Sequence, residues 1–137
     1  HTINNEGPYT IVTDDKVYLT YSGGAAGGYS YVLGLLTAET EDDLLNPDSW
    51  IKSNAPVLSY YSVNGEYGPG HNTFFKDRHG NLMIAYHAQD TMDRSPRCTA
   101  VRRVHFNREG IPVFDMSAER DIKPALAKVK MKIEVVD

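Results

Sequence analysis

From residue 9 onward the chain is a succession of short apolar runs cut by turn residues. In 16–22, Val17, Leu19 and Tyr21 alternate with Tyr18 and Thr20, the two-residue period of a strand. A run at 9–12 precedes it across a turn at Thr13-Asp14-Asp15, and a glycine-rich loop at 23–28 leads to another strand at 29–38. Residues 40–45 predict one helical turn capped by Thr40 and ended by Asn46-Pro47, followed by a short outer strand at 50–52. The pattern then restarts, with strand-like runs at 56–61, 68–75, 82–88, 97–106 and 111–114 and turns at 77–81 and 107–110. Each half thus predicts about four short strands. The expected fold is all-β: about two four-stranded blades of a β-propeller, an incomplete ring. An eight-stranded immunoglobulin-like or jelly-roll sandwich is the competing arrangement.

Beyond Asp115 the text changes. Residues 118–121 are polar, and 126–136 interleave Lys with Val, Met and Ile. The expected division is a blade-forming unit over 1–115 and a tail or closing strand over 116–137, with Lys128, Lys130 and Lys132 on one face as an edge strand would carry them.

Composition narrows the function classes. A chain of 137 residues with 41% hydrophobic and 23% charged content holds one domain with a real core. Its net charge of −4 argues against nucleic acid or an anionic membrane as partner, and no apolar run approaches the ~20 residues of a membrane helix. The single cysteine, Cys98, excludes an internal disulfide. Nine tyrosines against four phenylalanines suit sugar recognition, a flat face with a hydroxyl, and equally suit strands in general.

Two places are candidates for chemistry. Gly68-Pro69-Gly70 predicts a tight, stiff turn that delivers His71 and Asn72 into a pocket, against the plainer reading of a buried histidine at an ordinary hairpin. Glu6, followed by Gly7 and Pro8, sits on a rigid strand entry of the kind a proton donor needs, against the plainer reading of an exposed glutamate. The five histidines make no zinc spacing with Cys98, and His87 reads as a core or supporting residue. No helix follows the glycines at 23–28, as a dinucleotide site would require.

Several segments occur in order: Glu6-Gly7-Pro8, Tyr18-Leu19-Thr20-Tyr21-Ser22, Tyr31-Val32-Leu33-Gly34, Gly68-Pro69-Gly70-His71-Asn72, Tyr86-His87-Ala88 and Gly110-Ile111-Pro112-Val113-Phe114. Together they resemble the C-terminal part of a family 43 glycoside hydrolase, the group of α-L-arabinofuranosidases, β-xylosidases and endo-arabinanases. The resemblance covers roughly 6–114 and implies a five-bladed β-propeller with its active site in the central funnel. It implies that Glu6 is the general acid, that His71 is the inner-strand histidine beside the site, and that Arg97 reaches the sugar hydroxyls, with Arg102 and Arg103 as neighbouring alternatives. It implies no required cofactor and allows a structural calcium on the propeller axis, met by His71 through water. The implied substrate is an arabinose- or xylose-containing oligosaccharide.

The departure from the family pattern is equally informative. The family's general base and its second aspartate belong to blades that precede Glu6, and Asp14, Asp15, Asp42 and Asp43 match neither role. The expectation is therefore a chain carrying the acid of an inverting pair and not the base, inactive alone. Its exposed blade faces would associate with copies of the chain or with missing N-terminal blades. A non-catalytic carbohydrate-binding module and a structural β-sandwich are the rival readings. Arabinoside or xyloside, exo or endo action, and secreted or intracellular life stay open.

Overall fold

The computed structural model describes residues 4–93, 96–116 and 130–135. Nine strands are assigned among them, and the only helix described is one 3-10 turn, Pro47–Ser49. Strands β1 (Asn4–Val12), β2 (Lys16–Gly24), β3 (Val32–Glu39) and β4 (Ile51–Lys52) form an antiparallel sheet in sequential order. Strands β5 (Tyr67–Lys76), β6 (Leu82–Gln89) and β7 (Arg97–Arg103) form a second one. A separate hairpin pairs β8 (His105–Phe106) with β9 (Pro112–Val113).

The turns behave as their residues dictate. Asp77 accepts hydrogen bonds from the backbone of His79 (2.8 Å) and Asn81 (2.9 Å), closing the β5–β6 hairpin. Asn107 does the same for Glu109 and Ile111 between β8 and β9.

Four expectations are corrected. The second sheet has three described strands, because 97–106 breaks at Val104, whose N–H bonds Leu82, and β8 turns away to pair with β9. Residues 56–61 form no strand and touch β3 through one bridge, Leu33 to Leu58. The helical turn at 40–45 is absent: Asn46 caps Asp48 N–H at 3.1 Å and Pro47 opens the 3-10 turn that follows, since proline favours the first helical position. Gly68-Pro69-Gly70 is not a turn but the irregular opening of β5, where the register to β6 shifts twice. Of the tail, only Met116 and 130–135 are described; 130–135 has no assigned secondary structure and is exposed, and Lys128 lies outside the described residues.

The sheets stack face to face. Ile11, Tyr18, Leu33 and Leu35 of the first meet Phe74, Ile84, Tyr86 and Ala88 of the second, with Leu58, Val104 and Phe114 closing the rim. Burial of a large apolar side chain contributes about 1.5–3 kcal/mol, so this shared core is what joins the sheets. Polar stitches cross it. The backbone N–H of His71 donates to Ser22 Oγ at 2.7 Å, and the buried Thr20 hydroxyl lies 3.1 Å from Tyr9 O and 3.0 Å from Asn72 Oδ1. The far face of the second sheet is different: Phe75, Met83, Ala85 and Val101 share it by register, and Phe75 and Val101 stand exposed.

Packing is tight at Gly70, where a Cβ would stand 2.2 Å from the Tyr31 ring. Gly70→Ala is therefore expected to lower the unfolding free energy by about 1–3 kcal/mol, as overpacking does. Gly80→Ala, with open space around it, is expected to cost about 1 kcal/mol through its positive φ alone. Urea titration of both variants measures the difference.

Candidate active site

Both strands that line the site are bent at their openings. In β1 the register to β2 shifts between Glu6 and Tyr9, with Gly7 at φ 58°. In β5 it shifts between Tyr67 and Thr73, and His71 takes φ 51°, the only positive φ of a described non-glycine residue. A bulge adds twist and re-aims the side chains around it, and strained backbone of this kind gathers at functional sites. The two bends meet: a Cβ on Gly7 would stand 3.1 Å from the His71 ring. The backbone of β1 thus slides under that imidazole, and Glu6 and His71 come to one end of the molecule.

Tyr31 links them to the core. Its ring is fully buried against Gly70, and its hydroxyl donates to Glu6 Oε1 at 2.8 Å. Burial first, and then the Glu6 carboxylate against an opposing Ser22 hydroxyl, pushes the phenol up to about 12, so it remains a donor across neutral pH. The His87 ring lies parallel to the Tyr31 ring, centroids 5.5 Å apart at 4°. Arg97 Nη1 is 3.4 Å from His87 Nε2. His87 Nδ1 is buried with no hydrogen-bond partner among the described residues. Burial, with the Arg97 guanidinium and His71 adding to it against Glu6, lowers the imidazole to about 4 and keeps it neutral.

The sequence-predicted residues are thus brought together: Glu6, His71 and Arg97 surround the Tyr31–His87 stack. The three arginines differ in position. Arg102 is taken by an ion pair with Glu66 and donates to Tyr86 Oη at 2.8 Å, while Arg103 pairs across the sheet with Met83. Asp14, Asp15, Asp42 and Asp43 lie in exposed loops at the far end of the first sheet. Six residues of β1, roughly 20 Å of extended chain, separate Glu6 from that end. An acid and base of an inverting pair stand ~6.5–9.5 Å apart, so none of the four can face Glu6. Asp90, at the same end as Glu6, lines instead a cavity of about 730 Å³ beside Glu66 and Arg102.

Tyr31 was visible only as part of a motif, and nothing in its spacing announced a role. The usable signal was indirect: a glycine at 70 inside an apolar strand marks a close approach, and a large ring is what approaches. Calcium takes six to eight oxygen ligands, and no group of three or more His, Cys, Asp or Glu able to hold a metal occurs among the described residues. We derive no step through it.

Two stacked antiparallel sheets thus gather a carboxyl group, two imidazoles and a guanidinium at one end. The family model for Glycosyl hydrolases family 43 matches residues 1–112, and the chain belongs to that family. It is 38% identical to an extracellular exo-alpha-(1->5)-L-arabinofuranosidase of Streptomyces avermitilis, over 88% of this chain and 26% of that protein. It is 36% identical to alpha-L-arabinofuranosidase B of Pyricularia oryzae, over 80% of this chain and 24% of that protein. The crystal structure of an alpha-L-arabinofuranosidase from Lactobacillus brevis aligns with a TM-score of 0.74 at 33% identity, over 88% of this chain and 39% of that one. The chain spans about a quarter of the length of the curated relatives it matches.

His87 gives a pH signature. Its folded pKa lies below the ordinary 6.5, so between about 6.5 and 4 the unfolded chain binds a proton that the native one does not. Its contribution to stability is complete above pH 6.5 and is lost as pH falls through 4. Wild type is expected to lose about 1–2 kcal/mol relative to His87→Gln between pH 7 and pH 4.5, after allowance for partial exposure. Urea unfolding of both at the two pH values checks this; parallel pH profiles would contradict it.

Proposed function

We propose that the chain is the acid-bearing part of an inverting family 43 glycoside hydrolase that cleaves arabinofuranosyl or xylosyl linkages in oligosaccharides or polysaccharides. Its two stacked sheets are neighbouring C-terminal blades of a five-bladed propeller. The general base comes from sequence outside the chain, and the apolar far face of the second sheet meets another blade or a second copy. The observation that carries the reading is the Glu6 carboxylate held 2.8 Å from the buried Tyr31 hydroxyl, beside His71 and Arg97.

The chemistry follows from what each residue does. The Tyr31 hydroxyl fixes one oxygen of Glu6, so the other delivers its proton to the glycosidic oxygen as the bond breaks. Arg97 and His71 supply hydrogen-bond donors to sugar hydroxyls, orienting the ring for attack from the opposite face. Neutral His87 supports the Tyr31 ring without adding charge beside the acid. The curated relatives named above support arabinofuranoside as the sugar.

The test combines this chain with a separately produced N-terminal family 43 portion and assays aryl arabinofuranosides and xylosides. Glu6→Gln is expected to lower kcat about 10²–10⁴-fold for poor leaving groups and far less for activated ones, because only the former need the proton. Equal losses for both, or none, would overturn the assignment. Sugar binding with no turnover in any combination would favour a binding module instead.

A further inference from the structure

The mechanism leaves one conspicuous feature unused: three tyrosines at the end of the molecule that holds Glu6. Tyr29 precedes Tyr31 by two residues in the loop joining β2 and β3. Its carbonyl accepts the Gly68 N–H at 2.8 Å, so it is anchored to the same irregular opening of β5 that delivers His71. The Tyr29 ring meets that of Tyr60 edge-on, centroids 5.4 Å apart, and Tyr60 leans on Tyr61 at 4.0 Å. Tyr61 is 83% and Tyr29 44% exposed.

Large exposed rings are ordinarily mobile, but the backbone that carries Tyr60 and Tyr61 is held. Ser59 N–H donates to Ser62 Oγ at 2.9 Å, Tyr61 N–H to Ser59 Oγ at 3.3 Å, and Ser62 N–H to Ser59 O at 2.9 Å. Leu58, fully buried in the core, pins the segment at its start, where Leu33 N–H donates to Leu58 O at 2.9 Å. A ring carried on a held backbone has less freedom to lose when a ligand covers it.

The position selects the ligand. A general acid protonates the oxygen that departs with the rest of the substrate, so the surface on the acid's side faces the leaving group. Aromatic faces bordered by serine hydroxyls suit a sugar ring, which has apolar C–H faces and a hydroxyl rim. We propose that Tyr29, Tyr60 and Tyr61 form a platform for the leaving-group sugar of an oligosaccharide substrate, a reading that rests on Glu6 as general acid for its direction. The platform lies wholly within this chain and needs no further blade to bind.

The test is binding, not turnover. The chain is titrated with arabinotriose, and in parallel with xylotriose, while tyrosine ring signals are followed by NMR. Wild type is expected to bind at least one of them with shifts at Tyr29 and Tyr61. Tyr61→Ala should weaken binding about tenfold, and Tyr61→Phe should keep most of it. Thermal melting of both variants confirms that this exposed position leaves the fold intact. Absence of binding by wild type, or equal binding by Tyr61→Ala, would overturn the inference. A chain that binds through the tyrosines while reconstituted turnover ignores Glu6→Gln keeps a sugar platform but overturns both the hydrolase reading and the platform's assignment to the leaving group.

Discussion

At position 70 no side chain can stand, because the Tyr31 ring already occupies the 2.2 Å where its first carbon would be. This contact between an irregular strand opening and a buried ring governs the rest. It brings the second sheet close enough for Ser22 to take the His71 N–H and for Thr20 to meet Asn72. It also holds Tyr31 where its hydroxyl reaches Glu6 and its face receives His87. A phenol in a hydrophobic seat with its polar tip at a carboxylate is a rigid lever between core and site. The Glu6 carboxyl group is thereby positioned by the same packing that joins the sheets.

Much of the fold could be read from the chain. Alternation in 16–22 and the apolar run at 82–88 marked strands, and the turns marked at 77–81 and 107–110 are closed by the Asp77 and Asn107 side chains. What was misread had local causes. Thr40 and the acidic residues after it look like a helix start, but Asn46-Pro47 offers a better cap one turn later. Residues 56–61 carry strand-like side chains yet rise along β3 with a single bridge, because their tyrosines point outward to one another and not into a sheet. The run 97–106 carries no breaker at Val104; the break comes from that residue's burial in the shared core.

The site was legible in part, and the reason is physical. Glu6 and His71 sit beside glycines, and a glycine flanking a polar residue is a visible mark of a bent backbone. Tyr31 and His87 carry no such mark, since their importance lies in what packs against them across about forty to sixty residues of chain. Family membership rests on the match over residues 1–112, and the chain spans about a quarter of the length of its curated relatives. Phe75 and Val101 stand exposed on the far face of the second sheet.

The central claim is that Tyr31 and Glu6 act as one unit. A double-mutant cycle of Tyr31→Phe and Glu6→Gln, read by urea unfolding at pH 7, measures that directly. The account predicts a coupling energy of about 1 kcal/mol, the contribution of a part-buried hydrogen bond to a carboxylate. Strictly additive losses would mean that the two side chains are neighbours without a working bond, and would contradict it.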